Sequence, residues 1–278
     1  MDTIDRQENS RFWAEVRGLA IALAIALLIR TFLFQPFNIP TGSMYPTLEV
    51  GDFLVVTKYS YGFSRYSLPF APPLSEGRVL AAVPKLGDVV VFNNPKDQGD
   101  TLAKDDSLWG QFVAWFDPRS WMFADKDQGL DYIKRLVGLP GDRIQVKAGV
   151  LHINGEPVKL ERIEDYSMVV DGSLKVIPQF LETLPNGVVH PILKSRPFGE
   201  GALDDTPEYV VPDKHYFMMG DNRDNSGDSR LPDRVGFVSE TQLVGKAEFR
   251  FFSTDAKWNQ PTQWLAGLRL GRFFTWIR

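Results

Sequence analysis

The chain has 278 residues, of which 44% are hydrophobic and 24% are charged, and its formal net charge is −4. This composition predicts a folded protein and excludes a disordered or strongly basic chain, so we expect no nucleic acid as a partner. The sequence contains no cysteine, which excludes disulfides, thiolate catalysis and cysteine metal sites, and its three histidines lack a metal-ligand spacing.

The first element is a mostly apolar stretch from Gly18 to Phe37 in which Arg30 is the single charged residue. Its length is close to the ~20 residues that cross a bilayer, and an arginine near the end of a span can extend to the headgroups. The stretch predicts one transmembrane anchor at 18–37. A buried core helix and a cleaved targeting sequence are the alternatives, although the long polar lead and the lack of an A-x-A site disfavour cleavage.

Basic residues predict how the anchor is oriented. Three arginines precede the apolar stretch, whereas no lysine or arginine follows Arg30 until Lys58. Because cytoplasmic flanks carry the excess of basic residues, residues 1–17 are predicted to be cytoplasmic and residues 38–278 extracytoplasmic.

A serine follows the anchor in a segment with unusual backbone constraints. The run from Ile39 to Leu48 contains two prolines and a glycine around Ser43, which leaves little scope for a helix or regular strand. Ser43 is therefore either a turn residue or a reactive hydroxyl held in a fixed position.

The chain after the anchor is mainly β. Runs of β-branched and aromatic residues bounded by Gly, Pro or Asp predict strands in an all-β body, with the architecture of a barrel or sandwich. The Asn154-Gly155 dipeptide predicts a hairpin turn, and the loop-rich residues 155–212 predict an inserted β-rich subdomain. The predicted strands are Asp52–Tyr59, Gly87–Phe92, Tyr132–Val137, Arg143–Lys147 and Val150–Ile153.

Lys134 occupies an apolar, strand-like run that ends at a Pro-Gly-Asp turn. A lysine that loses its water in such surroundings holds its proton less strongly and becomes a usable base. The alternative is a solvated surface charge, because Lys134 and Arg135 point to opposite faces of a strand and at least one of them can reach water.

Two segments rich in tryptophan, 108–123 and 264–277, lie outside this scheme. Tryptophan beside arginine is typical of contact with the headgroup zone of a membrane. Ordinary core packing or a subunit contact explains the same composition, and both interpretations stay open.

The residues Tyr216 to Arg230 pass from an apolar strand into a dense polar loop. Such a loop can bind a metal, form a solvated turn or orient another group. The spacing of its aspartates lacks the alternating ligands and terminal glutamate of a calcium-binding EF-hand loop, so a metal site is not expected.

Taken together, these segments resemble the bacterial type I signal peptidases, membrane-bound serine proteases with a serine and lysine dyad. Four ordered blocks carry the resemblance, and together they extend over most of the chain. The blocks are Gln35 to Met44 with its sequel, Gly51-Asp52, Tyr132 to Asp142, and Gly220 to Arg230.

The resemblance implies that Ser43 is the nucleophile and Lys134 the general base. It also implies an oxyanion hole formed by the Ser43 amide and the hydroxyl of Thr41, where many relatives have serine. Ser226 matches a serine that hydrogen-bonds the lysine, and two further residues match a supporting ion pair, Asp228 and Arg230.

The family's small apolar subsites for the residues one and three before the cut match six positions here. These positions are Phe37, Ile39, Met44, Leu48, Tyr132 and Ile133. No metal or organic cofactor is required. The departures from the family are a longer apolar insert between Phe92 and Lys134 and a single anchor where some members have two.

The implied function is removal of signal peptides from exported preproteins at a bacterial inner membrane, with the catalytic region in the periplasm. The expected partners are signal peptides, the lipid bilayer and the secretion machinery. The alternatives are a specialised relative that matures one precursor, such as a conjugation protein, and a membrane-tethered β module that binds peptides without cutting them.

Overall fold

The computed structural model describes residues 2–64, 77–94, 131–170, 173–256 and 267–278. The tryptophan-rich segment 108–123 lies outside the described residues, as does the beginning of the segment 264–277.

The N-terminal helix, α1, spans Asp2–Phe32. Its part Arg11–Phe32 is long and apolar enough to cross a membrane, and none of the apolar window is buried against the rest of the protein. A core helix is therefore the wrong interpretation, whereas an exposed apolar helix fits a membrane-anchored protein.

The helix ends before Phe37, the predicted end of the anchor, and the bounds of the membrane span stay a prediction. The helix ends at Phe32, and Phe34–Asn38 forms the first strand, β1. Pro36 explains the change, since proline in a helix interior lacks the backbone donor and clashes with the preceding turn. Phe37 belongs to the body, where it packs against the apolar cluster that contains Met44 and Leu48.

The remaining strands follow in chain order. They are β2 Asp52–Thr57, β3 Val89–Asn93, β4 Asp131–Gly138, β5 Arg143–Lys147, β6 Val150–Ile153, β7 Glu156–Pro157, β8 Lys159–Arg162, β9 Tyr166–Val170, β10 Ser173–Ile177, β11 Gln179–Thr183, β12 Val189–Leu193, β13 Tyr209–Val210, β14 His215–Met219, β15 Val238–Ser239, β16 Leu243–Ser253 and β17 Thr275–Trp276. The mainly β body and the five predicted strands are confirmed, and β5 and β6 have the predicted bounds.

The largest sheet has the order β1-β2-β16-β3-β4-β14-β15, with β17 also paired to β16. Its neighbouring strands are antiparallel. The register of β16 shifts against both β2 and β3, and such bulges increase the local twist of a sheet. This sheet contains β4, the strand of Lys134, and both strands that flank Ser43.

Three smaller sheets complete the described body, with the orders β13-β5-β6-β7, β12-β11-β8 and β10-β9. The predicted hairpin between β6 and β7 is confirmed, because Asn154 and Gly155 have φ values of 56° and 89°, as a tight primed turn requires. Strands β7 and β13 pair with strands that precede Gly155, so one sheet lies across the predicted boundary at residue 155. The inserted subdomain 155–212 therefore stays a prediction.

Candidate active site

Ser43 lies in a short 3₁₀ turn, Gly42–Met44, between β1 and β2. Met44 and Leu48, which are fully buried, anchor the turn in the core, and Leu48 N donates to Met44 O. A Cβ at Gly42 would lie 2.4 Å from the ring of Tyr45, so a larger residue does not fit there. The half-buried serine is thus presented by a segment with little freedom to move.

Asn222 holds the same turn from the loop that follows β14. Its side-chain Nδ2 donates to Gly42 O at 2.9 Å, and its backbone N donates to Ser43 O at 3.1 Å. Both carbonyl groups on the N-terminal side of the turn are therefore occupied, which fixes the orientation of the peptide unit that carries Ser43.

Lys134 reaches Ser43 from the middle of β4. Its side chain is 3% exposed, and Nζ donates to Ser43 Oγ at 2.8 Å and to Ile133 O at 2.9 Å. Nζ also lies 5.4 Å from the centre of the Tyr132 ring. The structure brings the predicted nucleophile and base into direct contact without a histidine between them.

Burial lowers the pKa of Lys134 to about 8, because an ammonium without water loses most of its hydration energy. The negative charges of Asp228 and Asp221 act in the opposite direction and offset part of this effect, whereas Arg234 adds to it. A substantial fraction of the amine is therefore neutral at mildly alkaline pH and can accept a proton.

Asp228 and Arg230 form the expected ion pair under the site. Arg230 donates to both carboxylate oxygens at 2.8 and 2.9 Å, and Gly220 N donates to Asp228 Oδ2 at 3.0 Å. Burial by itself raises the pKa of Asp228, but the charge of Arg230 and its hydrogen bonds outweigh burial, and the pKa is lowered.

The expected hydrogen bond between Ser226 and Lys134 is not formed. Ser226 Oγ is buried and interacts instead with the carboxylate of Asp228, whose pKa it helps to lower. It lies against Gly220, where a Cβ would come within 2.2 Å of Oγ and 2.6 Å of Ser43 O. The lysine-orienting role of Ser226 stays a prediction, and Ile133 O holds the amine in this structure.

Neither Lys134 nor Arg135 is a solvated surface charge, contrary to the alternative derived from strand alternation. Arg135 is fully buried, and its guanidinium donates to both oxygens of Asp221 at 2.8 and 2.7 Å. Thr47 donates to the same carboxylate. The polar loop that follows β14 is therefore a buried scaffold and not a solvated turn.

Five of the six predicted pocket residues share one apolar cluster between the serine segment, β1 and β4. Tyr132 packs instead against a second cluster, beside Phe92. This separation follows from the alternation of side chains along β4, since Tyr132 and Ile133 point to opposite faces. The five residues of the first cluster are Phe37, Ile39, Met44, Leu48 and Ile133.

Thr41 precedes the 3₁₀ turn in an extended conformation, and its side chain makes no capping hydrogen bond. The residue is exposed, so its hydroxyl is accessible beside Ser43. The sequence interpretation missed Asn222 and the Arg135–Asp221 pair as supports of the site. These residues lie inside the sequence blocks that resemble the signal peptidases, but their contacts join segments that are far apart in the chain.

The chain matches the family described as "Signal peptidase, peptidase S26" over residues 13–252. It is 36% identical over 291 residues to signal peptidase I of Rickettsia typhi, covering 99% of this chain and 97% of that protein. Signal peptidase I of Rickettsia conorii is also 36% identical, with the same coverage, over 293 residues.

A solved signal peptidase I from Enterococcus faecalis matches with a TM-score of 0.27 and 20% identity, over 59% of this chain and 97% of that chain. A similarity of that size does not bear on the fold. The family match covers well over half of the sequence, and the two relatives are similar along nearly its whole length. The chain belongs to the peptidase S26 family, the signal peptidases.

Proposed function

We propose that this protein is a type I signal peptidase that hydrolyses the bond between a signal peptide and an exported protein, with Ser43 as nucleophile and Lys134 as general base. One observation carries the residue assignment: a buried amine, with its pKa lowered to about 8, lies 2.8 Å from a serine hydroxyl.

The proton transfer follows from that geometry. When Lys134 is charged, Nζ donates to Ser43 Oγ, and once it is neutral the hydroxyl donates to the nitrogen. An ordinary lysine has a pKa of about 10.4, so the shift makes the amine a far better match for neutral to mildly alkaline pH.

The acyl-transfer cycle needs a group that transfers protons and groups that stabilise the oxyanion. Ser43 Oγ attacks the scissile carbonyl while Lys134 takes its proton, and the lysinium returns that proton to the departing amine. The Ser43 amide and the exposed Thr41 hydroxyl stabilise the negative charge on the carbonyl oxygen. Water activated by Lys134 releases the acyl group and regenerates the enzyme.

The apolar cluster beside the dyad supports recognition of small residues before the cut. Met44 and Leu48 are fully buried and Ile39 is 3% exposed, so these side chains form the apolar backing of the surface and not its accessible part. Phe37 and Ile133, which are partly buried against the cluster, form its accessible edge.

We further propose that α1 anchors the protein in a bacterial inner membrane, with the N-terminus in the cytoplasm and the body in the periplasm. The exposed apolar window within Arg11–Phe32 supports the anchor, and the three arginines before Gly18 support this orientation. The substrate is then the signal peptide of an exported preprotein, delivered by the secretion machinery within the same bilayer.

Replacement of the nucleophile tests this assignment. Ser43→Ala is expected to abolish cleavage of a preprotein in detergent or vesicles, since no other hydroxyl contacts Nζ among the described residues. Mass spectrometry of the products and an unfolding curve of the variant check activity and folding together. Residual turnover well above the uncatalysed rate would refute the role of Ser43.

A peptide-binding module without protease activity predicts a different result. Its serine would not react with a serine-directed acylating reagent, whereas the proposed enzyme is expected to be labelled at Ser43 in a reaction that Lys134→Ala removes. Mapping of the labelled peptide distinguishes the two functions.

A further inference from the structure

The last described segment, 267–278, returns to the nucleophile. Leu270–Arg272 forms a short 3₁₀ turn, and β17 then pairs with β16. This segment lies beyond the residues 13–252 that match the family. It nevertheless contacts both parts of the chain that carry the dyad.

Arg272 binds the stretch that follows Ser43 through three of its groups. Nη1 donates to Glu49 Oε1 at 2.7 Å, and Nη2 and Nε donate to the two oxygens of Asp52 at 2.6 and 3.1 Å. Nη2 also donates to Thr47 O at 3.2 Å. One guanidinium therefore joins three residues of a segment that begins four residues after the nucleophile.

Two further arginines complete this contact. Arg269 donates to Glu49 Oε2 at 2.6 Å and to Val50 O at 2.7 Å. Arg250, from β16, donates to Asp52 Oδ2 at 3.0 Å. Asp52 is fully buried, so its charge depends on these partners.

The same segment also contacts β4, the strand that contains Lys134. Ile277 packs against the apolar cluster that contains Met44, Leu48 and Ile133. Arg135, the neighbour of Lys134 in β4, donates from Nη2 to Arg278 O at 3.1 Å. The C-terminal residues thus contact the serine segment on one side and β4 on the other.

We propose that residues 269–278 are a positioning segment for the catalytic dyad and that Arg272 is its main positioning residue. The segment holds the chain after Ser43 against the strand of Lys134, and it does not touch the reacting atoms. A displacement of about 1 Å can cost about 100-fold in rate, so a contact of this kind controls turnover more than substrate binding. The inference rests on the proposed protease function.

The test uses full-length protein in detergent and a preprotein substrate. Arg272→Met removes the guanidinium and keeps a long apolar side chain. We expect kcat to fall by about 10- to 100-fold while KM changes by less than about twofold. The rate at which an acylating reagent labels Ser43 is expected to fall in parallel, because that reaction also requires the positioned dyad.

Arg143→Met is the matched control. The guanidinium of Arg143 is 60% exposed and pairs with Glu208 at the surface, away from the serine segment. The Arg143→Met variant loses the same charge as Arg272→Met, and we expect it to have the kcat and the labelling rate of the wild type.

Arg272→Lys keeps the positive charge but cannot span both carboxylates and the carbonyl with one ammonium. We expect it to recover part of the lost kcat. Should Arg272→Met fail to fold, Arg272→Lys decides the test: a folded protein with kcat reduced by about fivefold or more supports the proposal, and wild-type kcat contradicts it.

The inference would be overturned by a kcat for folded Arg272→Met within about twofold of wild type, or by an equal loss of kcat in Arg143→Met. It would also be overturned if fewer Arg272→Met molecules were labelled at Ser43 but each labelled molecule had the wild-type kcat. The last result would indicate a purely structural role. Failure of the wild-type protein to cleave any preprotein would refute the proposed function itself, so the two failures are distinguishable.

Discussion

At the scale of single residues, the proposed chemistry depends on the protonation of one amine. Lys134 is surrounded by protein on all sides, and burial lowers its pKa to about 8. Asp228 and Asp221 limit the shift because their charges favour the ammonium. The balance leaves the amine largely protonated at neutral pH and increasingly neutral above it.

The pH dependence of cleavage follows with a definite sign. Because only the neutral amine accepts a proton, kcat/KM is expected to rise as pH increases through about 8 and to level off above it. Steady-state kinetics across this range, at pH values where the protein stays folded, measures the effect. A profile that is flat around this value would contradict Lys134 as the titrating base.

Lys134→Arg separates charge from basicity. A guanidinium keeps its proton at every accessible pH, so the variant is expected to be inactive although it retains the positive charge. Cleavage assays with circular dichroism as the folding control measure this, and near-wild-type kcat would exclude Lys134 as the base.

Short blocks with recognisable chemistry predicted Ser43 and Lys134 as a pair, and the structure places Nζ 2.8 Å from Oγ. The sequence could not identify the partner of Arg135, since Asp221 is 86 positions away and the identity of a charged residue does not reveal what it will face. The family resemblance implied a bond between Ser226 and Lys134, whereas Nζ donates to Ser43 Oγ and Ile133 O in the structure.

At the scale of elements, the junction between α1 and β1 connects the membrane anchor directly to the catalytic sheet. Leu33 alone separates Phe32 from Phe34, and Leu33 O accepts a hydrogen bond from Lys58 N. Composition did not reveal this boundary, because apolar residues serve equally in a membrane helix and in a packed strand.

Strand prediction succeeded where turns bounded the element and failed where they did not. The Gly and Asp residues around β5 and β6 marked both ends correctly. The longest strand, β16, was missed because Gly245 and three charged residues interrupt its apolar pattern. Its register shifts accommodate these residues within the sheet.

Two truncations test the junction. Removal of residues 1–32 retains β1 and is expected to leave a folded, active body, whereas removal of residues 1–38 deletes a strand that pairs with β2 along five positions. The shorter protein is expected to unfold at lower urea concentration, because Phe37 also packs against the apolar cluster. Equal unfolding midpoints for the two proteins would show that β1 is dispensable.

At the scale of the whole molecule, buried charged and polar side chains connect the loop after β14, a strand of the largest sheet, to the sheet β12-β11-β8. Glu182 in β11 pairs with Arg223 in the polar loop, and His190 in β12 lies 3.3 Å from Glu182 and 3.9 Å from Asp221. These side chains are almost completely buried. The network therefore links folding of the two sheets, and no local pattern in the sequence predicts it.

Acid should weaken this link. Burial alone raises the pKa of Glu182, but the charge and hydrogen bonds of Arg223, with a contribution from the neighbouring His190, outweigh burial, and the pKa lies well below its usual range. A carboxyl with a lowered pKa in the folded state stabilises the protein above its unfolded pKa of about 4.3 and loses that contribution as pH falls further.

We expect Glu182→Gln to lower the free energy of unfolding by about 3 kcal/mol at neutral pH, since it leaves Arg223 buried without its charge partner. The difference from wild type should shrink as pH falls below about 4. Urea unfolding of the body without residues 1–32 measures both. Glu161→Gln, at an exposed position of β8, is the control and should change the free energy by less than about 0.5 kcal/mol.

The absence of a flexible linker after α1 has a consequence for which bonds are cut. In the proposed membrane-anchored arrangement, the single residue between helix and strand leaves the height of Ser43 above the bilayer surface little room to adjust to each substrate. A precursor must therefore bring its scissile bond to that height, and the number of residues between its own hydrophobic segment and the bond becomes a selection rule. Inserting a few glycines at Leu33 would relax this rule and broaden the spacing that is accepted.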